Sequence, residues 1–401
     1  MSGIVIIGAG QAGSSLAIKL RALGYQGTVT LIGEEPYAPY QRPPLSKTYL
    51  LGEMALERLY LRPEEVYRDQ NIELRLGTQV TAIDPVAQVI SLGAETLSYD
   101  QLALTTGSTP RLLPEAIGGR LQNVFAVRGL ADVDAMRPAF ERGGHVLIIG
   151  GGYIGLEAAA VAAKRGLKVT LVEMADRILQ RVACAETSDY FRALHQSHGV
   201  TLLEGVGLSS LTGTDHVTGA ILSNGATLDI DFALVGVGIQ PNTQLADAAG
   251  LTLNNGIETN ALGQTSQSKI WAAGDCASFP YQGERIRLES VPNAIDQAEV
   301  VAANMLGAQK AYHATPWFWS DQYDVKLQIS GLNQGFENVV TRIGEAGRSH
   351  WYYKAGQVLA VDAMNDPRAY MVAKRLIEAG KTADSALVAD PGSNLKALLR
   401  G

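Results

Sequence analysis

The 401-residue sequence predicts an α/β fold in which two βαβ units of the same design are followed by a C-terminal α+β segment. Two glycine-rich motifs, at residues 8–13 and 150–155, carry this prediction. Each motif directly follows an apolar run typical of a buried strand and opens a helix-forming run, which is the setting that gives a GxGxxG pattern its meaning. The repetition therefore indicates two Rossmann-like dinucleotide-binding domains.

The first unit opens on the motif that contains Gly8, Gly10 and Gly13. Gly8 allows the tight turn, Gly10 lets the backbone approach a pyrophosphate, and Gly13 lets the helix pack closely on the strand. The N-terminus of the helix then offers free N–H groups and the positive end of its dipole to phosphates. The elements predicted for this unit are a strand at 4–7, a helix at 12–23 and a strand at 29–32.

The second unit repeats this order, with Gly150, Gly152 and Gly155 in the places of the three glycines. Its predicted elements are a strand at 146–149, a helix at 153–165 and a strand at 169–172. The last strand leads into Glu173, at the position where an acid binds the ribose hydroxyls of a dinucleotide. The corresponding position of the first unit is a glycine, and the acid follows one residue later at Glu34, with Glu35 as an alternative.

The rest of the chain supplies strands that connect the two units and then a segment of different character. Strands are predicted at 73–76, 79–83, 88–92, 101–105, 232–238 and 270–275, and a helix at 294–306. From about residue 317 the pattern alternates as in an exposed sheet, with strands at 325–329, 339–343, 351–354 and 358–361 and a helix at 368–379.

Composition excludes several classes of protein. A net charge of −7 disfavours general nucleic-acid binding, although a local basic patch stays compatible with it. No apolar stretch is long enough to span a bilayer, and the first strand begins almost at the N-terminus, so we expect a cytoplasmic enzyme without a membrane partner.

Cysteine and histidine offer no metal site. The two cysteines, Cys184 and Cys276, form no closely spaced pair, which disfavours a disulfide framework and an iron–sulfur cluster on this chain. His195 and His198 stand three residues apart without a matching set of carboxylates or thiols, so we interpret them as solvated helix surface rather than metal ligands.

Four segments together resemble a known family: residues 42–47 (RPPLSK), 152–157 (GYIGLE), 273–275 (AGD) and 317–322 (WFWSDQ). They resemble the two-dinucleotide-binding flavoproteins that include glutathione reductase, and within them the ferredoxin reductases of oxygenase and cytochrome P450 systems. The resemblance implies FAD and NADH as cofactors. It also implies a discontinuous FAD-binding domain at 1–110 and 243–316, an NADH-binding domain at 111–242 and a C-terminal interface domain at 317–401.

The resemblance assigns residues to each nucleotide. For FAD these are Gly8, Gly10, Gly13, Glu34, Arg42, Pro44, Lys47, Val80, Thr106, Gly107, Arg111, Asp275 and Val291. For NADH they are Gly150, Gly152, Gly155, Glu173 and Gly238. Because the Glu173 carboxylate would repel a 2′-phosphate, we expect a preference for NADH over NADPH. Arg111 could instead be a surface residue.

Three residues are expected to act in catalysis and two in partner binding. The resemblance implies that Lys47 approaches the flavin ring, that Glu157 pairs with this lysine, and that Tyr153 shields the flavin. It also implies that Arg287 docks an acidic ferredoxin, while Trp319 lies at the interface between flavin and partner. For Tyr153 and Trp319, ordinary packing between domains is the alternative.

A missing feature narrows the chemistry further. Members of this fold that reduce disulfides or peroxides need cysteine after the first βαβ unit, and residues 40–50 contain none. The flavin is therefore expected to be the only redox group, and the sequence predicts electron transfer from NADH through FAD to a [2Fe–2S] ferredoxin that supplies a P450 or ring-hydroxylating oxygenase.

Two alternatives stay open. One is a rubredoxin or monodehydroascorbate reductase, since the acceptor is chosen by surface features that these motifs do not determine. The other is a flavoprotein similar to apoptosis-inducing factor, in which NADH binding controls association with partners.

Overall fold

The computed structural model describes residues 3–345 and 347–400 and divides into two compact units. The first unit comprises the chain up to Arg42, Ala55–Thr109 and Ile239–Pro316; the second comprises Pro43–Met54, Pro110–Gly238 and the chain from Trp317 onward. The segment 43–54, which we predict within the first domain, thus belongs to the second unit. The assignment of three domains stays a prediction.

The helices, in chain order, are α1 (Gln11–Ala22), α2 (Glu64–Asp69), α3 (Leu130–Arg142), α4 (Tyr153–Lys164), α5 (Ala185–Ser197), α6 (Gln244–Ala248), α7 (Val291–Met305), α8 (Pro367–Glu378) and α9 (Ser385–Ala389). Shorter helical turns occur at Leu45–Tyr49, Leu56–Arg58, Glu115–Ile117 and Leu395–Arg400. Among the described residues, no helix is both long and apolar enough to cross a bilayer.

The strands, in the same order, are β1 (Gly3–Ile7), β2 (Val29–Ile32), β3 (Ile72–Arg75), β4 (Ala82–Asp84), β5 (Val89–Leu92), β6 (Glu95–Leu104), β7 (Ser108–Pro110), β8 (Val124–Phe125), β9 (His145–Ile149), β10 (Lys168–Glu173), β11 (Thr201–Glu204), β12 (Leu208–Gly213), β13 (Val217–Leu222), β14 (Thr227–Asp229), β15 (Phe232–Val235), β16 (Ile239–Pro241), β17 (Ile257–Glu258), β18 (Ile270–Ala272), β19 (Ala277–Tyr281), β20 (Glu284–Ile286), β21 (Trp317–Gln322), β22 (Val325–Gly331), β23 (Asn338–Ile343), β24 (Arg348–Lys354) and β25 (Gln357–Met364).

The first unit is organised around a mixed sheet in the order β3–β2–β1–β6–β5–β4, with β18 also paired to β6. Strands β3, β2, β1, β6 and β18 are parallel, so their carboxyl ends meet at one edge. Every residue of β1 and β2 is buried, as expected for parallel strands covered on both faces. Helices α1 and α7 pack on one face through fully buried Leu16, Leu20 and Val301.

Helix α7 begins at Val291, three residues before the predicted start. The Ser290 side chain caps it by accepting a hydrogen bond from the Asn293 N–H, and Pro292 occupies the first turn, where the missing proline N–H costs nothing. The apolar pattern alone marked only the part of the helix after this turn. Likewise, the strand predicted at 79–83 begins only at Ala82.

The second unit contains a parallel sheet in the order β11–β10–β9–β15–β8 and an antiparallel meander β12–β13–β14. The meander was not predicted. A five-stranded antiparallel sheet in the order β21–β22–β25–β24–β23 follows, and α8 packs against it. Its strands contain the four predicted from alternation and one more, β21, in which aromatic residues obscure the pattern.

The expectation that His195 is solvated is wrong. His195 has no exposed area, whereas His198 is exposed. His195 follows fully buried Phe191 by four residues, so the two lie on the same buried face of α5. The i, i+3 spacing of the histidines spans the boundary between the buried and the exposed face.

Arg342 of β23 holds the C-terminal segment. Its side chain is buried, and its guanidinium donates to the carbonyl oxygens of Val388, Asp390, Pro391 and Ser393 and to the hydroxyl of Ser393. One side chain thus binds carbonyl groups at the end of α9 and in the segment that follows it.

Replacing Arg342 with Met is expected to lower the free energy of unfolding by about 2–4 kcal/mol, because several carbonyl groups lose a charged donor at once. Urea unfolding measures this loss, and limited proteolysis should show earlier cleavage after residue 385. Arg368→Met, the same change at an exposed position, is the control and should leave both unchanged. Equal behaviour of the two variants would contradict this role.

Candidate functional site

The predicted site residues divide between the two units. The first unit contains Gly8, Gly10, Gly13, Glu34, Arg42, Val80, Thr106, Gly107, Asp275, Arg287 and Val291. The second contains Pro44, Lys47, Arg111, Gly150, Gly152, Tyr153, Gly155, Glu157, Glu173, Gly238 and Trp319.

The first glycine turn has two crowded positions and one open one. A Cβ on Gly8, whose φ is +114°, would lie 2.2 Å from the Thr105 carbonyl oxygen, and a Cβ on Gly13 would lie 2.0 Å from that of Gly8. A Cβ on Gly10 would meet nothing within 4 Å. Gly10 is the N-cap of α1 and leaves the helix without a side-chain cap. The crowded glycines therefore fix the turn, while the open one leaves room for a phosphate at the helix N-terminus.

The second turn repeats this geometry. Gly150 has a φ of +108° and its Cβ would lie 2.4 Å from the Gly236 carbonyl oxygen; a Cβ on Gly155 would lie 2.0 Å from that of Gly150. Gly152 is the N-cap residue of α4 and provides no side-chain cap, and there is again open space where its Cβ would be. The turns at residues 8–13 and 150–155 thus share one shape, and both leave room for a pyrophosphate.

The acids beside the two turns differ for a steric reason. A Cβ on Gly33 would lie 2.7 Å from the Ala9 Cβ, so a side chain at position 33 is excluded. In the second unit the small residue is instead Gly151, and Glu173 can keep its side chain at the matching position. The Ala9 methyl group therefore explains why the acid of the first unit moves to Glu34.

The carboxylate of Glu173 is held by the backbone. Its two oxygens accept hydrogen bonds from the N–H groups of Gly151, at 2.7 Å, and Ala175, at 2.8 Å. Each oxygen keeps a lone pair that can accept from a ribose hydroxyl.

In the first unit Glu34 is exposed, whereas Glu35 accepts hydrogen bonds from Tyr40 and Arg42, each at 2.5 Å. Burial disfavours the charge on Arg42, but its neighbours Tyr40, Glu35 and Asp275 outweigh this effect and raise its pKa. Glu35 is therefore occupied, which favours Glu34 as the acid left for a ligand.

Asp275 lies just beyond β18, at the edge where the carboxyl ends of the parallel strands meet. Its Oδ2 accepts a hydrogen bond from the Ser108 hydroxyl at 2.8 Å. The Thr106 hydroxyl donates to the Asn242 carbonyl oxygen at 2.7 Å, and the Asn242 N–H donates to the Gly107 carbonyl oxygen at 3.0 Å. These bonds link the turn after β6 to the residues that follow β16 and β18.

Three further predicted residues of the first unit, Val80, Val291 and Arg287, lie in different environments. Val80 is buried just before β4, and Val291 is the first residue of α7. Arg287 is only 10% exposed: it pairs with Glu289 and donates to the carbonyl oxygens of Asn255 and Asp275. The last bond anchors the backbone of Asp275.

In the second unit, half-buried Lys47 and buried Glu157 form an ion pair. The Lys47 Nζ lies 2.7 Å from the Glu157 Oε1, and the two side chains are 16% and 7% exposed. Glu157 comes from the first turns of α4, and Lys47 from the irregular turn Leu45–Tyr49 that follows two prolines, the second of which is Pro44. Burial raises the pKa of Glu157, and the charge of Lys47 and the hydroxyl of Ser320 counteract this rise.

The Ser320 hydroxyl donates to the Glu157 Oε1 at 2.8 Å. Ser320 lies in the family segment 317–322, but the sequence predicts no role for it. The available signal was strand alternation: Ser320 and Gln322 are two residues apart in β21 and so share a face, and both are buried. Ser108, the partner of Asp275, was also missed.

Aromatic residues of α4 and β21 lie close in sequence to Glu157 and Ser320. Tyr153 is the first residue of α4, and its ring centroid is 4.9 Å from that of Phe318. Its hydroxyl is buried and has no hydrogen-bond partner among the described residues, and burial raises its pKa well above the usual value. Trp319 is half-buried, 5.6 Å from Trp317 between ring centroids. Arg111 is exposed, with its N–H bound to the Gly238 carbonyl oxygen at 2.9 Å.

Family models and known proteins match this chain over nearly its whole length. A family model described as pyridine nucleotide-disulphide oxidoreductase matches residues 2–298, and one described as Reductase C-terminal matches residues 317–399. Putidaredoxin reductase CamA of Pseudomonas putida is 40% identical over 406 residues, covering 99% of this chain and 96% of that one. Rhodocoxin reductase of Rhodococcus erythropolis is 39% identical over 399 residues, covering 98% and 93%.

Among solved structures, the crystal structure of the covalent putidaredoxin reductase–putidaredoxin complex matches with a TM-score of 0.95 and 39% identity, covering 100% of this chain and 98% of that one. The predicted α/β fold class with Rossmann-like domains is confirmed.

Replacing Lys47 with Met leaves a buried carboxylate without its cation, which is expected to lower the free energy of unfolding by about 3–5 kcal/mol. The pKa of Glu157 should then rise further above its value in the unfolded chain. Because the folded state then holds the proton more tightly, stability falls as pH rises through the window between the two pKa values. The loss relative to the wild type should therefore be larger at pH 8 than at pH 5.

Urea unfolding at both pH values tests this prediction. Lys164→Met removes an exposed pair with Glu53, whose side chains are 60% and 47% exposed, and should cost little at either pH. A loss in Lys47→Met that is the same at pH 5 and pH 8 would contradict a charged, buried Glu157.

Proposed function

Because this chain belongs to the pyridine nucleotide-disulphide oxidoreductase family and has a Reductase C-terminal domain, we propose that it is an NADH-dependent ferredoxin reductase that uses FAD to supply electrons to a [2Fe–2S] ferredoxin. The predicted resemblance to ferredoxin reductases is confirmed by relatives about 40% identical along the chain. The predicted cofactors, FAD and a nicotinamide nucleotide, and the predicted enzyme class are those of this family.

One observation carries the proposal: each unit contains a glycine turn of the same shape. At both Gly10 and Gly152 there is open space at an uncapped helix N-terminus. An enzyme with a single dinucleotide would need only one such turn. We assign the first turn to FAD and the second to NADH.

When bound, FAD would supply the redox chemistry that links two-electron donation by NADH to one-electron delivery to the partner. The chain supplies groups that bind and polarise it. Asp275, oriented by Ser108, is assigned to the ribityl hydroxyls, and Glu34 to the adenosine ribose. Val291 opens α7, whose positive dipole end favours negative charge on the reduced ring. Arg42, Pro44, Val80, Thr106, Gly107 and Arg111 are assigned to the same cofactor.

Lys47 is assigned the stabilisation of negative charge on the reduced flavin, since cations near the ring tune its electronics. The pair with Glu157, at 2.7 Å, would hold the lysine in one position. Tyr153 is assigned the shielding of the flavin.

For the nicotinamide nucleotide, Glu173 is proposed to select NADH, with Gly150, Gly155 and Gly238 forming the rest of the assigned set. The carboxylate can accept from both ribose hydroxyls and would repel a 2′-phosphate.

The partner is proposed to be an acidic ferredoxin that serves a cytochrome P450 or another oxygenase, and Arg287 and Trp319 are the residues assigned to it. Relatives named as reductases of putidaredoxin and rhodocoxin support this choice. The proposed domain roles are FAD binding by 1–110 and 243–316, NADH binding by 111–242 and partner contact by 317–401. The proposed location is the cytoplasm.

Wild-type protein is expected to favour NADH over NADPH by about 100-fold in kcat/KM, a difference of about 2.7 kcal/mol. Glu173→Ala should lose about 10–100-fold with NADH, because charge-assisted hydrogen bonds to the ribose are removed. Glu186→Ala, an exposed acid at the start of α5, is the control. Steady-state reduction of ferricyanide with each nucleotide gives the ratios, and equal values for the two nucleotides would refute the assignment.

The proposed function is tested by mixing the FAD-loaded protein with NADH under anaerobic conditions and then adding an oxidised [2Fe–2S] ferredoxin. Rapid bleaching of the flavin and rapid reoxidation by ferredoxin are expected. Slow bleaching with a long-lived coloured complex would favour a NADH-sensing flavoprotein instead. Reoxidation by a rubredoxin or by monodehydroascorbate, but not by ferredoxins, would identify one of the other reductases.

A further inference from the structure

The Lys47–Glu157 pair lies at one end of a continuous chain of buried hydrogen bonds. From Glu157 the chain runs to Ser320 at 2.8 Å, from Ser320 to Gln322 at 3.1 Å, and from Gln322 to His195 at 2.8 Å. It ends where the hydroxyl of half-buried Tyr323 meets the His195 Nδ1 at 3.1 Å. All these groups belong to the second unit.

The bonds of this chain all point the same way. The Gln322 Oε1 can only accept, so the His195 Nε2 carries the proton and donates to it. The neutral ring then has a free lone pair on Nδ1, which accepts from the Tyr323 hydroxyl. At the other end, the Gln322 amide N–H donates to the Ser320 Oγ, so the Ser320 proton is directed to Glu157. The histidine tautomer, the amide orientation and the direction of the Ser320 hydroxyl are thus mutually consistent, and each requires the others.

The middle of this chain of hydrogen bonds is fully buried. Ser320, Gln322 and His195 have no exposed area. A buried amide or imidazole without partners would cost free energy, so such groups are retained only when they are satisfied. Because an amide neither gains nor loses a proton near neutral pH, this chain of hydrogen bonds cannot conduct protons through Gln322. Its physical effect is to orient groups.

We propose that Gln322 and His195 are positioning residues that fix the Lys47–Glu157 pair through Ser320. The value of this role for catalysis rests on the proposed function, in which Lys47 acts on the flavin. The orientation of the pair itself does not depend on that function. The sequence predicts no role for His195, and none for Gln322 beyond its place in the family segment 317–322.

The charged and titratable groups around the chain are consistent with this role. Glu157 faces Lys47, and the charge of Asp321 acts on it from β21. His195 faces Tyr323, and His198 stacks on the same tyrosine ring with centroids 3.7 Å apart. Burial, with a smaller effect of His198, lowers the pKa of His195 to about 4. The ring is therefore neutral near pH 7, as its acceptor Nδ1 requires.

The pKa of Glu157 reports directly on the chain, because the Ser320 hydroxyl stabilises the ionised carboxylate. It can be followed in the FAD-loaded protein by the infrared band of the protonated carboxyl group, identified by its loss in Glu157→Gln. The variants are Gln322→Met, which keeps the volume but removes the amide, and His195→Phe. His195→Gln keeps an N–H near the place of Nε2 and tests rescue.

His350 provides a matched control. It is buried like His195, burial likewise lowers its pKa to about 4, and it bonds to the Thr341 hydroxyl, outside the chain. His350→Phe therefore removes a comparable histidine from the same unit without touching Glu157.

We expect Gln322→Met and His195→Phe to raise the pKa of Glu157 by about one unit, the size typical of losing one hydrogen bond to the charged form. His195→Gln should restore most of the wild-type value, and His350→Phe should leave it unchanged. No shift in either Gln322→Met or His195→Phe, or an equal shift in His350→Phe, would overturn the proposal. Wild-type protein that NADH fails to reduce would refute the proposed function, yet the titration would still decide the positioning role.

Discussion

The burial of the Glu157 carboxylate constrains how the segments of the second unit pack around it. A carboxylate as buried as Glu157, at 7% exposure, is stable in its charged form only when it is paired and hydrogen-bonded. Its partners come from different segments: Lys47 from the turn Leu45–Tyr49 and Ser320 from β21. Satisfying this charge therefore ties α4, which opens on the second glycine turn, to a distant loop and to the C-terminal sheet.

The same segment, Leu45–Tyr49, explains why chain order and compact units differ. It follows the first βαβ unit in sequence but belongs to the second unit of the structure. Its backbone is irregular at Lys47, where φ is −129° and ψ is −109°, after two prolines that resist regular helix and sheet. A lysine on such a turn can be directed by its partner rather than by a regular element, and here the partner is Glu157.

Much of the fold could be read from periodicity and glycine spacing. The two glycine turns and their flanking strands appear where the sequence predicts them, because close backbone approach leaves no alternative to glycine at Gly8 or Gly13. The meander β12–β13–β14 was missed because short strands give little alternation to detect. His195 was misjudged because burial of a polar residue depends on a partner, Gln322, that lies 127 positions away. The displacement of the acid to Glu34 required a tertiary contact, that of Gly33 with Ala9, which no local pattern reveals.

In the proposed function, the Lys47–Glu157 pair acts on the flavin as one unit. The most direct measurement is the midpoint potential of bound FAD in the wild type, Lys47→Met, Glu157→Gln and the double variant. Each single variant is expected to shift the potential, and the double variant should differ clearly from the sum of the two, because each residue acts through the other. Potentials that stay at the wild-type value, or shifts that simply add, would contradict this joint role of the two residues.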